Sequence, residues 1–589
     1  PAEVPPVKQN GTVSLVVRVL PDEPAVDREF DYLLTDEVVE SSDCSEVRIG
    51  TVVRIDLRGR RVRGWITELD VRPQEGLKLR EIKKVSSYGP PEALVNLATW
   101  ASGHWLGSRV HFLRTATHDR VVSSIPRGKV SQHTKFTTNN LAEEAFSRGG
   151  AVVRTPPASD DVGIAIAAAA QGRTLILVPT LARSQRLAVA MKRAGIDVSL
   201  YPKDWQASAG GSGTIGTRSA AWAPIDPLDA VLVIDEHDEA YQQESAPTWH
   251  ARDVVLERAR RDGSRWVITS PTPSLEALTC GAPLLTPDRR TERAGWPITE
   301  LVDLRSEAPT AGSWCSDHLA RSLRSSRRAV CVVNRKGRAR FAYCDHCGEL
   351  ARSEETGKAL GLDGDRLVHP TDGDDRPAVC SMCSSTKFRR VKLGVTGVSE
   401  ELEHIARRPV AEVDASTEVV PADADLYVGT EAIFHRIDNS DLVAFLDFDQ
   451  EILAPRYRAA EEAMSLIVHA ARLVGPRENG GRILIQTRMP QHPVLQAAIN
   501  ADPGSVARAE LEIRRQLRQP PEAHWAVISG SSAAEFVERL GNPQGLEVMN
   551  SDNKRWRIRS DDRQLMLELL SNVERPTGRL RIEINPLRA

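Results

Sequence analysis

Five consecutive apolar residues, from Ala230 to Ile234, run straight into Asp235, Glu236, His237 and Asp238. An unbroken apolar run of that length predicts a strand buried on both faces, as in a parallel sheet. Its carboxylates fall at the C-terminal end, where open α/β sheets place their ligands. Similar runs at 151–154, 174–178, 197–201, 214–218 and 266–270 alternate with helical patterns at 162–171 and 183–194, and a Gly-rich turn (Gly210, Gly211, Gly213) precedes 214. Strand and helix alternating at this spacing predict a doubly wound parallel sheet. A second such region is expected at 329–333, 425–428, 443–447 and 482–486. The first 85 residues differ: short strands at 12–20, 30–34, 50–57 and 62–69 predict a small β-rich barrel or sandwich. Residues 92–113 have helical spacing, with Trp100, Trp105 and Phe112 placed to fill a core, and 127–140 is polar and linker-like. The last hundred residues read as α/β, with a helix at 533–540 and strands at 556–559 and 580–584.

A chain of 589 residues accommodates roughly three to five domains. Its 41% hydrophobic content suffices for packed cores, and no apolar run approaches a membrane span. The start, Pro-Ala-Glu-Val-Pro-Pro, lacks a basic flank and an apolar core, so no signal peptide is expected. A net charge of −3 means that nucleic-acid contacts must come from local basic surfaces. Arg54, Arg58, Arg60, Arg61 and Arg63 crowd one turn region against Asp56, with Trp65 beside them. That set suits phosphate contact plus base stacking, or is simply a solvated hairpin. Residues 321–340 hold eight basic residues and no acid, and 387–392 add four. Arg335, Lys336, Arg338 and Arg340 are the candidate DNA contacts there.

Cys344-x-x-Cys347 and Cys380-x-x-Cys383 form two chelating knuckles, spaced for one structural Zn²⁺ in a reducing compartment. Four buried thiols or a redox pair are the competing readings. Cys44, Cys280, Cys315 and Cys331 are isolated and expected to be core or inert.

The acidic strand end has two readings. It is an ordinary acidic turn, or it is a motor site in which Asp235 holds the Mg²⁺ of a nucleotide and Glu236 positions the attacking water. A phosphate-binding loop would then sit after the strand at 151–154. That slot reads Arg154-Thr155-Pro156-Pro157-Ala158-Ser159-Asp160-Asp161. Two prolines have no N–H to donate, no lysine is present, and two aspartates take the place of phosphate ligands. A lost charge pair ~4 Å apart at an effective dielectric of ~20 forfeits about 4 kcal/mol, or roughly three decades of affinity. Tight binding of ATP and Mg²⁺ is therefore not expected.

Several motifs together resemble the primosomal protein N′ (PriA) family of replication-restart helicases. They include residues 175–180 with Leu181-Ala182, then Gly216-Thr217-Arg218-Ser219-Ala220 with Ala223-Pro224. Asp235-Glu236-His237-Asp238 follows, with Tyr241, Gln243-Glu244 and His250-Ala251-Arg252-Asp253. Thr272-Pro273-Ser274-Leu275-Glu276, Asn334-Arg335-Lys336-Gly337, Val428-Gly429-Thr430, Asp447 with Asp449-Gln450, and 483–487 continue the likeness. The departures are equally specific. Besides the phosphate loop, the last motor motif keeps a single arginine, Arg472, and the Lys-Gly expected after Gly429-Thr430 reads His435-Arg436.

The resemblance implies a multidomain α/β chain: a 3′ DNA-end-binding β domain (1–88), a shortened winged-helix-like segment and linker (89–135), a degenerate RecA-like helicase lobe (136–305), a second lobe (306–490) with a zinc-binding insertion (341–392), and a small α/β C-terminal domain (491–589). It places Asp31, of Phe30-Asp31-Tyr32, in the pocket for the terminal nucleotide, with Gly59 and Arg80 beside it. It leaves Asp235, Glu236 and Arg472 as vestiges of the motor. Family members carry eight zinc cysteines; here the inner four appear as Ser353, Thr356, His369 and Asp372, a poor set for a second metal. The implied function is recognition of branched and single-stranded DNA at stalled forks and reloading of the replicative helicase, without unwinding. The implied partners are single-strand-binding protein and the helicase or its loader, in the cytoplasm at the nucleoid and with no membrane. The alternatives are an ATP-dependent 3′→5′ helicase with an atypical nucleotide site, and a zinc-bearing regulator of unrelated role.

Overall fold

The computed structural model describes residues 7–9, 12–42, 44, 46–73, 78–128, 140–307, 315–333, 342–354, 360–368, 375–390, 395–413, 417, 419–421, 423–552 and 554–588. Strand Ala230–Ile234 is buried along its whole length at the centre of a seven-stranded sheet. The sheet order is Ser199–Leu200, Thr214–Gly216, Thr174–Leu177, Ala230–Ile234, Arg265–Ser270, Gly150–Arg154 and Leu284–Leu285, every pair parallel. Alternation of side chains explains why the apolar run is unbroken. Val231 and Val233 join the core on one face, while Ala230, Leu232 and Ile234 pack with Ile164 and Leu187 on the other. Both faces are thus covered, as a parallel sheet requires.

A second parallel sheet runs Ile298–Asp303, Arg482–Thr487, Leu442–Phe445, Ala329–Val332, Leu426–Gly429 and Ala411–Val413. It too is two-sided: Val443, Ile483 and Ile485 enter one core cluster, Leu442, Ala444 and Leu484 the other. After the interior strand Ala329–Val332 the chain forms a small insertion in which Ala342–Cys344 pairs antiparallel with Phe388–Arg390. Three further strands, Gly361–Asp363, Arg366–Val368 and Asp375–Pro377, complete it. The N-terminal strands form the expected β domain, ordered Arg80–Glu81, Phe30–Thr35, Thr12–Pro21, Arg60–Leu69, Val52–Leu57 and Lys84–Ser87, with Val7–Gln9 on Thr12–Pro21. The C-terminal strands Glu547–Asp552, Arg555–Ser560, His524–Ser529 and Arg581–Ile584 make one antiparallel sheet, with helices Ala533–Leu540 and Arg563–Asn572 packed on it.

Two expectations are corrected. The helical pattern at 92–113 is two helices, Glu92–Trp105 and Arg109–Ala116. Leu106 turns into the left-handed region (φ 52°), Gly107 follows, and the Ser108 side chain caps the second helix by accepting from the Val110 N–H. Apolar spacing carries on through such a corner because both helices face the same core. Trp65 is no stacking platform: it is fully buried, with its Nε1–H donating to Thr117 Oγ1 at 2.9 Å. Trp105, Phe112 and Trp222 continue the same core, which joins the β domain, the two helices and the first lobe. Much of the polar stretch at 127–140 lies outside the described residues.

Candidate functional site

The strand end that would face a nucleotide is filled by the protein's own charges. Asp160 lies at the tip of the vestigial loop and caps helix Asp161–Ala169, its carboxylate accepting from the N–H groups of Val162 (2.9 Å) and Gly163 (3.2 Å). Those are the donors that a phosphate would use at a helix N-terminus. Asp161 binds the Arg183 guanidinium, whose Nε lies 3.1 Å from Oδ2. The same guanidinium donates to Asp235 Oδ2, and Arg472 reaches across from the second lobe to Asp235 Oδ1.

Burial would raise the Asp235 pKa, but the two guanidinium groups, Arg183 foremost, outweigh it and hold the carboxyl well below the usual range. Glu236 is likewise enclosed: Oε1 accepts from Arg252 (2.5 Å) and the Ser274 hydroxyl (2.7 Å), and Oε2 from the Ser274 N–H (3.1 Å). Here too burial works against ionisation, and Arg252 with its neighbours prevails. All four oxygens of the two carboxylates thus accept from the protein's own groups.

The two aspartates of the vestigial loop, expected to repel a triphosphate, are consumed by the helix cap and by Arg183. Arg183 and its role were not legible beforehand, because its partner Asp235 lies 52 residues away and that residue's other partner, Arg472, 237 away. More contacts join the lobes. Arg458 pairs with Glu276, the Leu275 N–H donates to Glu461 Oε2 (3.3 Å), and His469 Nε2 stands 3.9 Å from Asp238. Just past the C-terminal end of strand Leu442–Phe445, Asp447 and Asp449 are both buried. Gln450 donates to Asp447 (2.8 Å), and the Thr487 hydroxyl and the Arg488 N–H (2.9 Å) donate to Asp449. Burial and the neighbouring Asp449 push the Asp447 carboxyl up to about 6.

In the β domain, Gly59 and Arg80 come together on one acceptor. The Gly59 N–H (2.9 Å) and Arg80 Nη1 (3.2 Å) both reach Asp56 Oδ1. Tyr32, in register with Arg80, donates its hydroxyl to the Asp56 carbonyl (3.2 Å). Asp31 is not in this group: its partner is Arg18 Nε on the adjacent strand (3.0 Å), and Arg18 also pairs with Glu68 (2.5 Å). Successive residues of a strand point to opposite faces, so Asp31 and Tyr32 diverge. The hairpin arginines are partly spoken for, Arg63 by Asp22 (2.7 Å) and Arg60 by Glu23 (3.3 Å). The candidates Arg335, Lys336, Arg338 and Arg340 lie outside the described residues, as do Thr356, His369 and Asp372 of the second-metal set.

The four knuckle cysteines converge. Their Sγ atoms lie within 4.8 Å of one another, with Cys344–Cys383 and Cys347–Cys380 at 3.5 Å. Bonds of ~2.3 Å around a tetrahedral zinc set sulfurs about 3.8 Å apart, so the donor set fits such an ion. It is the one convergent ligand group among the described residues. Tyr343, next to Cys344 and fully buried, lies under the Arg488 guanidinium at 4.2 Å and ties the knuckle to the second lobe. Cys44, Cys315 and Cys331 are buried as expected, whereas Cys280 is exposed.

Residues 18–117 match the family model described as the 3′DNA-binding domain (3′BD) of PriA. The chain is 28% identical over 361 residues to the replication restart protein PriA of Bacillus subtilis, covering 56% of this chain and 45% of that protein. It is 26% identical to that of Synechocystis over 59% of this chain and 48% of that protein, so it spans about half the length of these two relatives. With the probable replication restart protein PriA of Mycobacterium leprae it shares 29% identity over 89% of both chains. Among solved structures, yeast Dbp5 bound to RNA and ADP BeF3 is similar over 64% of this chain and 93% of that one, at 10% identity and a TM-score of 0.36.

Proposed function

We propose that this chain, a relative of the PriA replication restart proteins, is a DNA-structure-binding protein that grips forks and 3′ nascent ends and promotes reloading of a replicative helicase without unwinding DNA itself. The observation that carries the non-motor part is the Asp235 site, where two arginines and a self-capped helix take up the groups that would otherwise hold Mg²⁺ and phosphate. A bound triphosphate would have to displace Arg183 and Arg472 from a buried carboxylate, which costs several kcal/mol before any gain.

The DNA-binding part rests on the match of residues 18–117 and on the group around Asp56. Arg80, paired with Asp56 but with 61% of its side chain exposed, and the uncrowded backbone at Gly59 would meet a terminal nucleotide beside Tyr32. Asp31 acts from the neighbouring face through Arg18. The knuckle cysteines would hold one zinc ion, which supplies cross-linking of Ala342–Cys344 to the loop after Cys380 and takes no part in chemistry. The unassigned basic residues Arg335, Lys336, Arg338 and Arg340 remain candidates for phosphate contact, and single-strand-binding protein and the helicase or its loader the expected partners, at the nucleoid.

Fluorescence anisotropy on forks with free and blocked 3′ ends tests the binding claim. Salt-sensitive binding that prefers the free end is expected, and equal affinity for both would remove end recognition. DNA-stimulated ATP hydrolysis, lost in Glu236→Gln, would reverse the non-motor reading in favour of a helicase.

A further inference from the structure

Three cations stand side by side on the outer surface of the β domain. In strand Val52–Leu57, Val53 and Ile55 are fully buried, so the alternating pleat turns Arg54 outward. Its cross-strand neighbours are Arg63 on one side and Lys84 on the other. Neighbouring strands lie about 4.8 Å apart, so the row is about 10 Å long. Arg61 extends it, two residues along from Arg63 on the same face and opposite Asp56. Arg63 is tied to Asp22 and lies over the Trp65 ring at 5.4 Å. Arg54, Arg61 and Lys84 are exposed, and among the described residues their side chains have no hydrogen-bond or ion-pair partner. Like charges directly opposite one another destabilise a sheet. A polyanion laid along the row removes that repulsion.

The position of the row identifies the anion. Asp56, opposite Arg61, is the acceptor on which the Gly59 N–H and Arg80 meet. One end of the row therefore abuts the group proposed to meet the terminal nucleotide. A strand whose last nucleotide sits there carries its next phosphates over Arg61, then over Arg54 and Lys84. Trp65, the aromatic next along this face, is fully buried and offers no base a stacking surface. The row thus holds phosphates and reads no sequence. We propose that it is a phosphate rail, which grips the backbone of the last few nucleotides and makes the ligand of this domain a single-stranded 3′ tail, not a lone terminal nucleotide. The rail presupposes end recognition by the Asp56 group and adds the length of strand that the site takes.

Fluorescence anisotropy of the full chain on a short single strand with a free 3′ end tests this, with the second and third linkages from that end made as neutral methylphosphonates. Removing those two charges should weaken binding roughly tenfold. Arg54→Ala combined with Lys84→Ala should weaken binding of the native strand by a similar factor and make the methylphosphonates silent. It should also lower the salt slope by about 1.4 for two lost contacts. The preference for a free over a blocked 3′ end should persist in the variant, because Gly59 and Arg80 are untouched. Wild-type protein that prefers free ends yet binds the neutralised strand as tightly as the native one would refute the rail and leave end recognition standing. A variant still fully sensitive to methylphosphonates would do the same. Equal binding of free and blocked ends by wild-type protein would instead remove end recognition, and the register of the rail with it.

Discussion

The bridge from Asp235 to Arg472 should couple the two lobes measurably. Asp235 has 3% of its side chain exposed and Arg472 21%, so little solvent screens the pair. Unit charges ~4 Å apart interact by about 4 kcal/mol at an effective dielectric of ~20. Arg183 stays on the carboxylate when Arg472 is removed, so part of that is retained. A double-mutant cycle of Asp235→Asn and Arg472→Ala should give a coupling of about 2–3 kcal/mol.

The control is another ion pair across the same cleft. Arg186 and Asp438 meet at 2.6 Å, but their side chains are 64% and 77% exposed, and such pairs contribute about 0–1 kcal/mol. The assay is urea unfolding followed by energy transfer between dyes on the two lobes, so that lobe separation itself is read. Arg472→Ala should also open the cleft to proteolysis. A coupling for Asp235–Arg472 no larger than that for Arg186–Asp438 would refute the reasoning, and with it the idea that an internal ion pair does what a nucleotide would do.

Asp447 gives a pH signature. Its folded pKa of about 6 lies above the ordinary 3.8, so its contribution is fully present below pH ~4 and is lost as pH rises through 6, by about 3 kcal/mol. Asp447→Asn should flatten that part of the profile in urea melts from pH 4 to 8; an unchanged profile would contradict it. Metal analysis should find about one zinc per chain, and Cys344→Ser with Cys383→Ser should abolish it, with loss of structure in 342–390; full retention of metal would refute the site. Trp65→Phe should destabilise the β domain by about 1–3 kcal/mol through the lost Thr117 bond and volume, yet leave DNA affinity unchanged at matched folded fraction. Arg80→Ala should weaken binding to forks with a free 3′ end several-fold and leave blocked forks unaffected, as anisotropy would show.

The sequence by itself determined the layered architecture. An apolar run such as Ala230–Ile234 can only be satisfied between two packed faces, and the strand came out with those same bounds. It also pointed to the convergence of Cys344, Cys347, Cys380 and Cys383, because each Cys-x-x-Cys turn brings its own two sulfurs together locally. The absence of a phosphate loop was equally plain, since two prolines and two aspartates cannot cradle phosphate at any tertiary arrangement.

What occupies that place was decided only in three dimensions. Arg183 reads as one more basic residue on an amphipathic helix until the parallel sheet sets its N-terminus against Asp235 and Asp161. Asp31 and Tyr32 are adjacent in the chain, but the pleat sends one to Arg18 and the other to Asp56. Trp65, beside a cluster of arginines in sequence and with Arg63 over its ring at 5.4 Å, is nevertheless buried, because the core around Thr117 closes over it. Burial and pairing depend on contacts between residues tens to hundreds of positions apart, and local pattern carries no record of them.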